Sequence, residues 1–271
     1  YEISLGLVGS EMCIRDRNLI MQKTWSSQVN KNFNEAALSY NESASIQKST
    51  ALKLAKICSH HSIKHGLWVD LGSGTGLLAK SLEDLHPNQY VVRLDNSKKM
   101  IDQHSEKSVK QLWDLNNGLP KWSKKPNLLA SSFVLHWLDN PQKKLEEWFN
   151  SLSLDGWIAL AIPIQGSFPE WYEAAEKANL ICTALDLPSY DSLIRVVPKQ
   201  SILYDKIEVI KQTAKKATSL LKPMIKVGAQ SSQKERLSVS DWRHLLSFWP
   251  ISNKDQQVSL SWSIQFLLIK R

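Results

Sequence analysis

The chain has 271 residues, of which 42% are hydrophobic and 22% charged, and carries a formal net charge of +8. That length and composition suit one large domain with a well-buried core, and no apolar run approaches the roughly eighteen residues of a membrane span, so a soluble, cytoplasmic protein is expected. Three cysteines, Cys13, Cys58 and Cys182, stand singly and argue against a disulfide framework or a metal site.

Residues 1–20 share neither the periodicity nor the composition of the rest of the chain, and Met21 opens like a natural start. They are expected to be a non-native or disordered leader, with residues 21–271 as a single domain. From Phe33 to Ile57 the spacing of Ala36, Ala37, Tyr40, Ala44, Ile46, Ala51, Leu52 and Ala55 predicts two helices with a break at 41–43. Leu67 to Leu71 and Tyr90 to Leu94 read as buried strands. Between them Leu77, Leu78, Leu82 and Leu85 recur at helical spacing before Pro87 and Asn88 stop the helix. The alternation continues with a helix from Ser97, a short strand near Lys110 to Trp113, a strand at Leu128 to Ser131, a helix from Pro141 and a strand at Trp157 to Pro163. Such alternation predicts a mostly parallel α/β sheet. After Gln165 a mostly helical stretch, including "PEWYEAAEKANLICTALDL", reads as a lid inserted at about 165–200. Strands resume near Ile202 to Ile210, a helix spans about Thr213 to Met224, and a final strand, Val258 to Ile269, closes the sheet with the last pair antiparallel.

Gly72, Gly74 and Gly76 lie where the first strand turns into a helix, a place where glycine permits positive φ and close approach of a ligand to the main chain. A tight turn without a ligand would select glycine as well. The Gly-Lys-Ser/Thr of a phosphate-gripping loop is missing, and the dinucleotide fingerprint would need a glycine where Leu77 stands. Asp70, just before the loop, would repel a pyrophosphate but suits a cofactor bearing an ammonium and a sulfonium, as S-adenosylmethionine does. Asp95, nineteen residues after Gly76, is placed to accept from ribose hydroxyls, while Asp114 is placed to accept from an adenine amine and Leu115 to pack on the ring. Singly, each aspartate would equally suit a cap or a turn.

The ordered segments "VDLGSGTG", "VVRLDNSKKM", "WDLNNGLP" and "SSFVLHWLDN" resemble the motifs of class I S-adenosylmethionine-dependent methyltransferases, from about Leu67 to Pro163. The resemblance implies a Rossmann-like sheet, and it adds Asn96, Met100 and Ser131 to the cofactor residues Asp70, Gly72, Gly74, Gly76, Asp95, Asp114 and Leu115. More of the chain is similar to the malonyl-[acyl-carrier protein] O-methyltransferases of biotin synthesis. "NKNFNEAALSYNESASIQKSTALKLA" resembles their entry helices, "LHW" their aromatic motif, "QGSFPEW" their turn after the fifth strand, and "MIKVGAQ" and "WSIQFLLIKR" their C-terminal part. Ser132, Asn127 and Ile225 depart from that pattern, where asparagine, aspartate and lysine are usual.

The resemblance implies methylation of the free carboxylate of malonyl-acyl carrier protein, with Tyr40, His136, Trp137 and Gln165 near the reacting methyl group. A carboxylate is already ionised at neutral pH, which fits the lack of a catalytic triad. Trp137 would serve equally as core, and His136 as a rim residue. The basic stretch containing Lys215 and Lys216 would receive an acidic carrier protein, or would be only a solvated face. A monomer is expected. Rival readings are a methyltransferase for another small acid or a quinone precursor, and a non-catalytic protein that kept the fold for assembly. Nucleic-acid methylation is disfavoured because "SSFV" lacks the paired prolines of amino-methylating enzymes.

Overall fold

The computed structural model describes residues 25–231, 234–252 and 254–271, so the leader expected at 1–20 lies outside the described residues. Helices α1 (residues 25–36), α2 (Tyr40–Ser43) and α3 (Ser45–Ser59) come first. The break therefore falls at 37–39 and at Ala44, and residues 41–43 belong to a helical turn. The alternating core continues as β1 (Trp68–Leu71), α4 (Leu77–Leu85), β2 (Val91–Asp95), α5 (Lys98–Ile101), β3 (Lys110–Leu112), β4 (Leu128–Ser132), α6 (Pro141–Ser151) and β5 (Trp157–Pro163).

The segment expected as a helical lid, residues 165–200, is less helical than its sequence predicts. It holds α7 (Pro169–Lys177) and the short α8 (Tyr190–Ile194), with irregular chain between them. Helix α7 ends because Asn179 takes a φ of 52° and Leu180 N–H bonds back to the Ala175 carbonyl at 2.9 Å. Strand β6 (Ile202–Ala214) runs four residues past its expected end, which delays α9 to Ala217–Lys226. Helix α10 (Val239–Ser247) is unexpected, although a capping box of Ser238 and Asp241 opens it. Strand β7 (Val258–Lys270) completes the chain.

The seven strands are ordered β3-β2-β1-β4-β5-β7-β6, parallel from β3 through β5, with β7 antiparallel to both β5 and β6. Successive residues of β5 feed opposite faces: Ala159 and Ala161 join one core with Leu54, Leu82 and Phe266, while Ile158, Leu160 and Ile162 join the other with Leu145, Trp148 and Leu152. A sheet covered on both faces has unbroken apolar strands, which is why β1, β4 and β5 are legible in the sequence. Helix α6 is held at its start by Asn140, whose side chain accepts from Lys143 N–H at 2.9 Å, and by Pro141 in the first turn. The winding of the chain reverses between β1 and β4, so a crevice opens at their carboxyl ends. Among the described residues no helix is long and apolar enough to cross a membrane.

Leu145 is fully buried where α6 covers the sheet. Leu145→Ala is expected to lower stability by about 2–5 kcal/mol in urea denaturation, and a loss well under about 1 kcal/mol would contradict this packing.

Candidate functional site

The three glycines of the loop have different physical reasons. Gly72 has a φ of 73°, and a Cβ there would lie 2.4 Å from both Val134 methyls. At Gly76 a Cβ would lie 2.7 Å from the His104 ring. Gly74, with φ 52°, would meet no protein atom within 4 Å. The protein itself requires bare backbone at the outer two positions, whereas Gly74 faces open space where a ligand can approach the main chain. His104 fastens the loop by donating from Nε2 to the Gly74 carbonyl at 2.8 Å.

Asp95 grips the loop from the other side. One carboxylate oxygen accepts from Gly74 N–H and the other from Ser97 N–H, both at 2.8 Å. Burial pushes this carboxyl up to about 6, against the lowering effect of those N–H groups. Asp70 lies deeper, 1% exposed, and accepts from Ala79 N–H in the first turn of α4 at 3.0 Å. Burial pushes it up to about 7, although the Arg93 guanidinium, itself paired with Glu83 at 2.6 Å, pulls the other way. Both carboxyls, Asp70 buried and Asp95 half-buried at the crevice, are held above their ordinary range, an arrangement that a cationic ligand relieves.

Asp70, Gly72, Gly74, Asp95, Asn96, Met100, Asp114 and Leu115 line a single crevice. The structure thus brings together most of the residues read from four separate motifs. Asp114 also caps the turn at 115–117 by accepting from Asn116 N–H at 2.9 Å. Gly76 and Ser131 stand behind the crevice wall; Ser131 donates to the Leu71 carbonyl at 3.0 Å and ties β4 to β1. Its neighbour Ser132 lines the crevice instead, and the Ser132 Oγ is buried without a hydrogen-bond partner.

Helix α1 roofs the crevice with Ser26, Val29 and Phe33. It is fastened by asparagines: Asn30 Nδ2 donates to the Asn96 carbonyl at 2.7 Å, and Asn34 Oδ1 accepts from Ser97 Oγ at 3.0 Å and Lys99 N–H at 3.1 Å. Asn41 Oδ1 accepts from Thr75 Oγ1 of the glycine loop at 2.7 Å. None of these clasps, nor His104 or Ser132, is visible in the sequence, because each depends on contacts between distant segments.

A second chamber of about 700 Å³ adjoins the crevice. Phe33, Tyr40, Gln47, Phe133 and Trp137 line both. Trp137 is wedged between Trp25, stacked at 6.0 Å, and the edge of Phe33 at 5.6 Å. His136 lines the chamber, and burial pushes its imidazole down to about 3 while Nδ1 lacks a partner. Burial and the nearby Asp95 charge push the Tyr40 phenol above the ordinary tyrosine range. Phe133 and Phe168, with φ of 60° and 63°, hold strained conformations in the chamber wall, and both pack against Trp262. Gln165 is not brought to the site: it is exposed, lines neither cavity, and its backbone N–H bonds to the Pro188 carbonyl at 2.9 Å.

Residues 69–160 match the family model described as a methyltransferase domain. With the strand order and the crevice, this defines a class I methyltransferase fold whose cofactor is S-adenosylmethionine. The residues present fit that cofactor: Gly74 leaves room on the main chain, Ser132 offers an unpartnered hydroxyl, and the carboxyls of buried Asp70 and half-buried Asp95 stand ready for positive charge. The chain is similar to trans-aconitate 2-methyltransferase of Mycobacterium tuberculosis, with 33% identity over 113 residues covering 41% of each chain. It is also similar to malonyl-[acyl-carrier protein] O-methyltransferase of Bacillus anthracis, with 24% identity over 156 residues covering 56% of this chain and 58% of that one. The matches therefore span about half the length of these relatives. The crystal structure of the YcgJ protein of Bacillus subtilis shares the fold, with a TM-score of 0.56 at 13% identity over 82% of this chain and 97% of that chain.

The contrast among the glycines is directly testable. Gly74→Ala is expected to fold and to lose S-adenosylmethionine affinity by more than about tenfold in calorimetry, whereas Gly72→Ala, clashing with Val134, should lower the melting temperature instead. Unchanged affinity in Gly74→Ala would place the ligand elsewhere.

Proposed function

We propose that the protein transfers a methyl group from S-adenosylmethionine to the carboxylate of an acid held in the second chamber. The observation that carries this reading is the shared wall of Phe33, Tyr40, Gln47, Phe133 and Trp137 between the crevice and the chamber. When bound, S-adenosylmethionine supplies an electrophilic methyl group on a sulfonium. Gly74, Asp70, Asp95, Asp114 and Leu115 would hold it, and α1 would keep water out of the crevice.

Two titratable groups that line the chamber, His136 and Tyr40, favour an acceptor that arrives ionised. His136 is too weak a base, at about 3, to remove a proton from an alcohol or amine at neutral pH. Tyr40 remains a neutral phenol and can only donate toward an anion. A carboxylate needs no base, so orientation against the aromatic wall does most of the catalytic work.

Within this class, the malonyl thioester of acyl-carrier protein is the acceptor we favour, supported by the similarity to the Bacillus anthracis relative and by exposed Lys215 and Lys216 just before α9, a face suited to an acidic carrier. The similarity to trans-aconitate 2-methyltransferase supports a free small acid as the second reading. Incubation with labelled S-adenosylmethionine and either malonyl-carrier protein or trans-aconitate should yield methyl ester on the carrier, and reversing both lysines to glutamate should raise KM several-fold at low salt. Ester formed only on trans-aconitate would replace the first reading with the second. No ester on either would remove this assignment of acceptor.

A further inference from the structure

The chamber is larger and more apolar than a compact polyacid requires. Its 700 Å³ lies within the range of about 300–1,000 Å³ typical of cavities that engulf whole ligands. Phe168, Trp171 and Trp262 are buried in its wall, with Leu221 and Leu246 half-buried on α9 and α10.

The charged side chains among the chamber's described lining are Lys222, Lys234, Glu235 and Arg236, all from one stretch of chain. Lys222, Glu235 and Arg236 are exposed, which places them at the mouth, and Lys234 is held by Asp186 at 2.8 Å and by the Ala184 carbonyl at 3.2 Å. Among the described residues the half-buried cation of the lining, Lys234, is already engaged by Asp186. A second or third carboxylate carried into the chamber would lose its hydration without gaining a counter-charge. One carboxylate has a suitable place beside the shared wall, where the Tyr40 hydroxyl could donate to it and where His136, on the chamber side, has an Nδ1 without a partner.

We propose that the chamber takes a monocarboxylic acid with an extended apolar chain, its carboxylate at the Tyr40–His136 wall and its chain running past Trp171 and Trp262 toward Leu246. As a statement about the methyl acceptor this rests on the function proposed above. As a statement about binding it stands alone. It also gives a reason for the positive φ of Phe133 and Phe168, both of which line the space such a chain would fill.

The test is calorimetric titration of the full chain, loaded with S-adenosylhomocysteine so that no turnover occurs, with hexanoate, octanoate, decanoate and trans-aconitate. Each added methylene that is fully buried should tighten binding about fourfold, so decanoate should bind far more tightly than hexanoate, and trans-aconitate should bind weakest. Leu246→Trp should weaken decanoate at least about tenfold and flatten the series while S-adenosylhomocysteine affinity stays unchanged. Affinity in the wild-type chain that is independent of chain length, or trans-aconitate binding as tightly as decanoate, would overturn the proposal whether or not the variant folds. In a separate incubation with labelled S-adenosylmethionine, a steep series with no methyl ester on malonyl-carrier protein or on any of the acids would instead overturn the proposed function and leave the binding site standing. Ester on malonyl-carrier protein with a flat series would overturn this inference alone.

Discussion

The structure of the site depends on one carboxylate, that of Asp95, which holds Gly74 N–H with one oxygen and Ser97 N–H with the other. Those two bonds join the glycine loop after β1 to the start of α5 and fix the floor of the crevice. The same Ser97, through its hydroxyl, bonds Asn34 of α1, so the roof is fastened to the point that anchors the floor. Charge, backbone conformation and the covering helix therefore meet at the end of β2. A change at Asp95 would loosen the loop, the turn and the roof together.

The two chambers divide the chemistry by polarity. The crevice gathers carboxyls that burial has raised, Asp70 to about 7 and Asp95 to about 6, and so waits for positive charge. Because both groups ionise less readily in the folded chain, their contribution favours the ligand-free fold at acid pH and is lost as pH rises through about 6 to 7. The chamber beside it is aromatic, with Lys222 and Arg236 exposed, Lys234 paired with Asp186, and a neutral imidazole inside. The shared wall separates a place for a cation from a place for an apolar acid, and Tyr40 borders both.

Much of this is legible in the sequence, for identifiable reasons. Strands buried on both faces give continuous apolar runs, so β5 is readable at both ends, Trp157 and Pro163. The aspartates Asp70, Asp95 and Asp114 lie at or just past the carboxyl ends of successive strands, and parallel topology brings such positions to one edge. The segment after β5 reads as too helical because alanine and glutamate propensity suggests a long helix, whereas a local cap at Asn179 and Leu180 ends α7 after Lys177. Helix α1 extends back to residue 25, further than the reading from Phe33 onward, although Trp25, Val29, Phe33 and Ala36 recur at helical spacing. Nothing local distinguishes Gly74 from its two neighbours, or marks His104, Ser132 and the asparagine clasps, since their roles arise only when distant segments meet. Gln165 shows the converse: a motif position carried over from a resemblance need not face the site.

The most direct measurement is calorimetric titration of the whole chain with S-adenosylmethionine at pH values on either side of 6 to 7, with a nicotinamide dinucleotide as comparison. The predicted result is specific binding of S-adenosylmethionine that tightens as pH rises through that range, because Asp70 and Asp95 must ionise to meet the cation. Absence of binding, or equal binding of the dinucleotide, would contradict a crevice built around buried carboxyls for a sulfonium nucleoside.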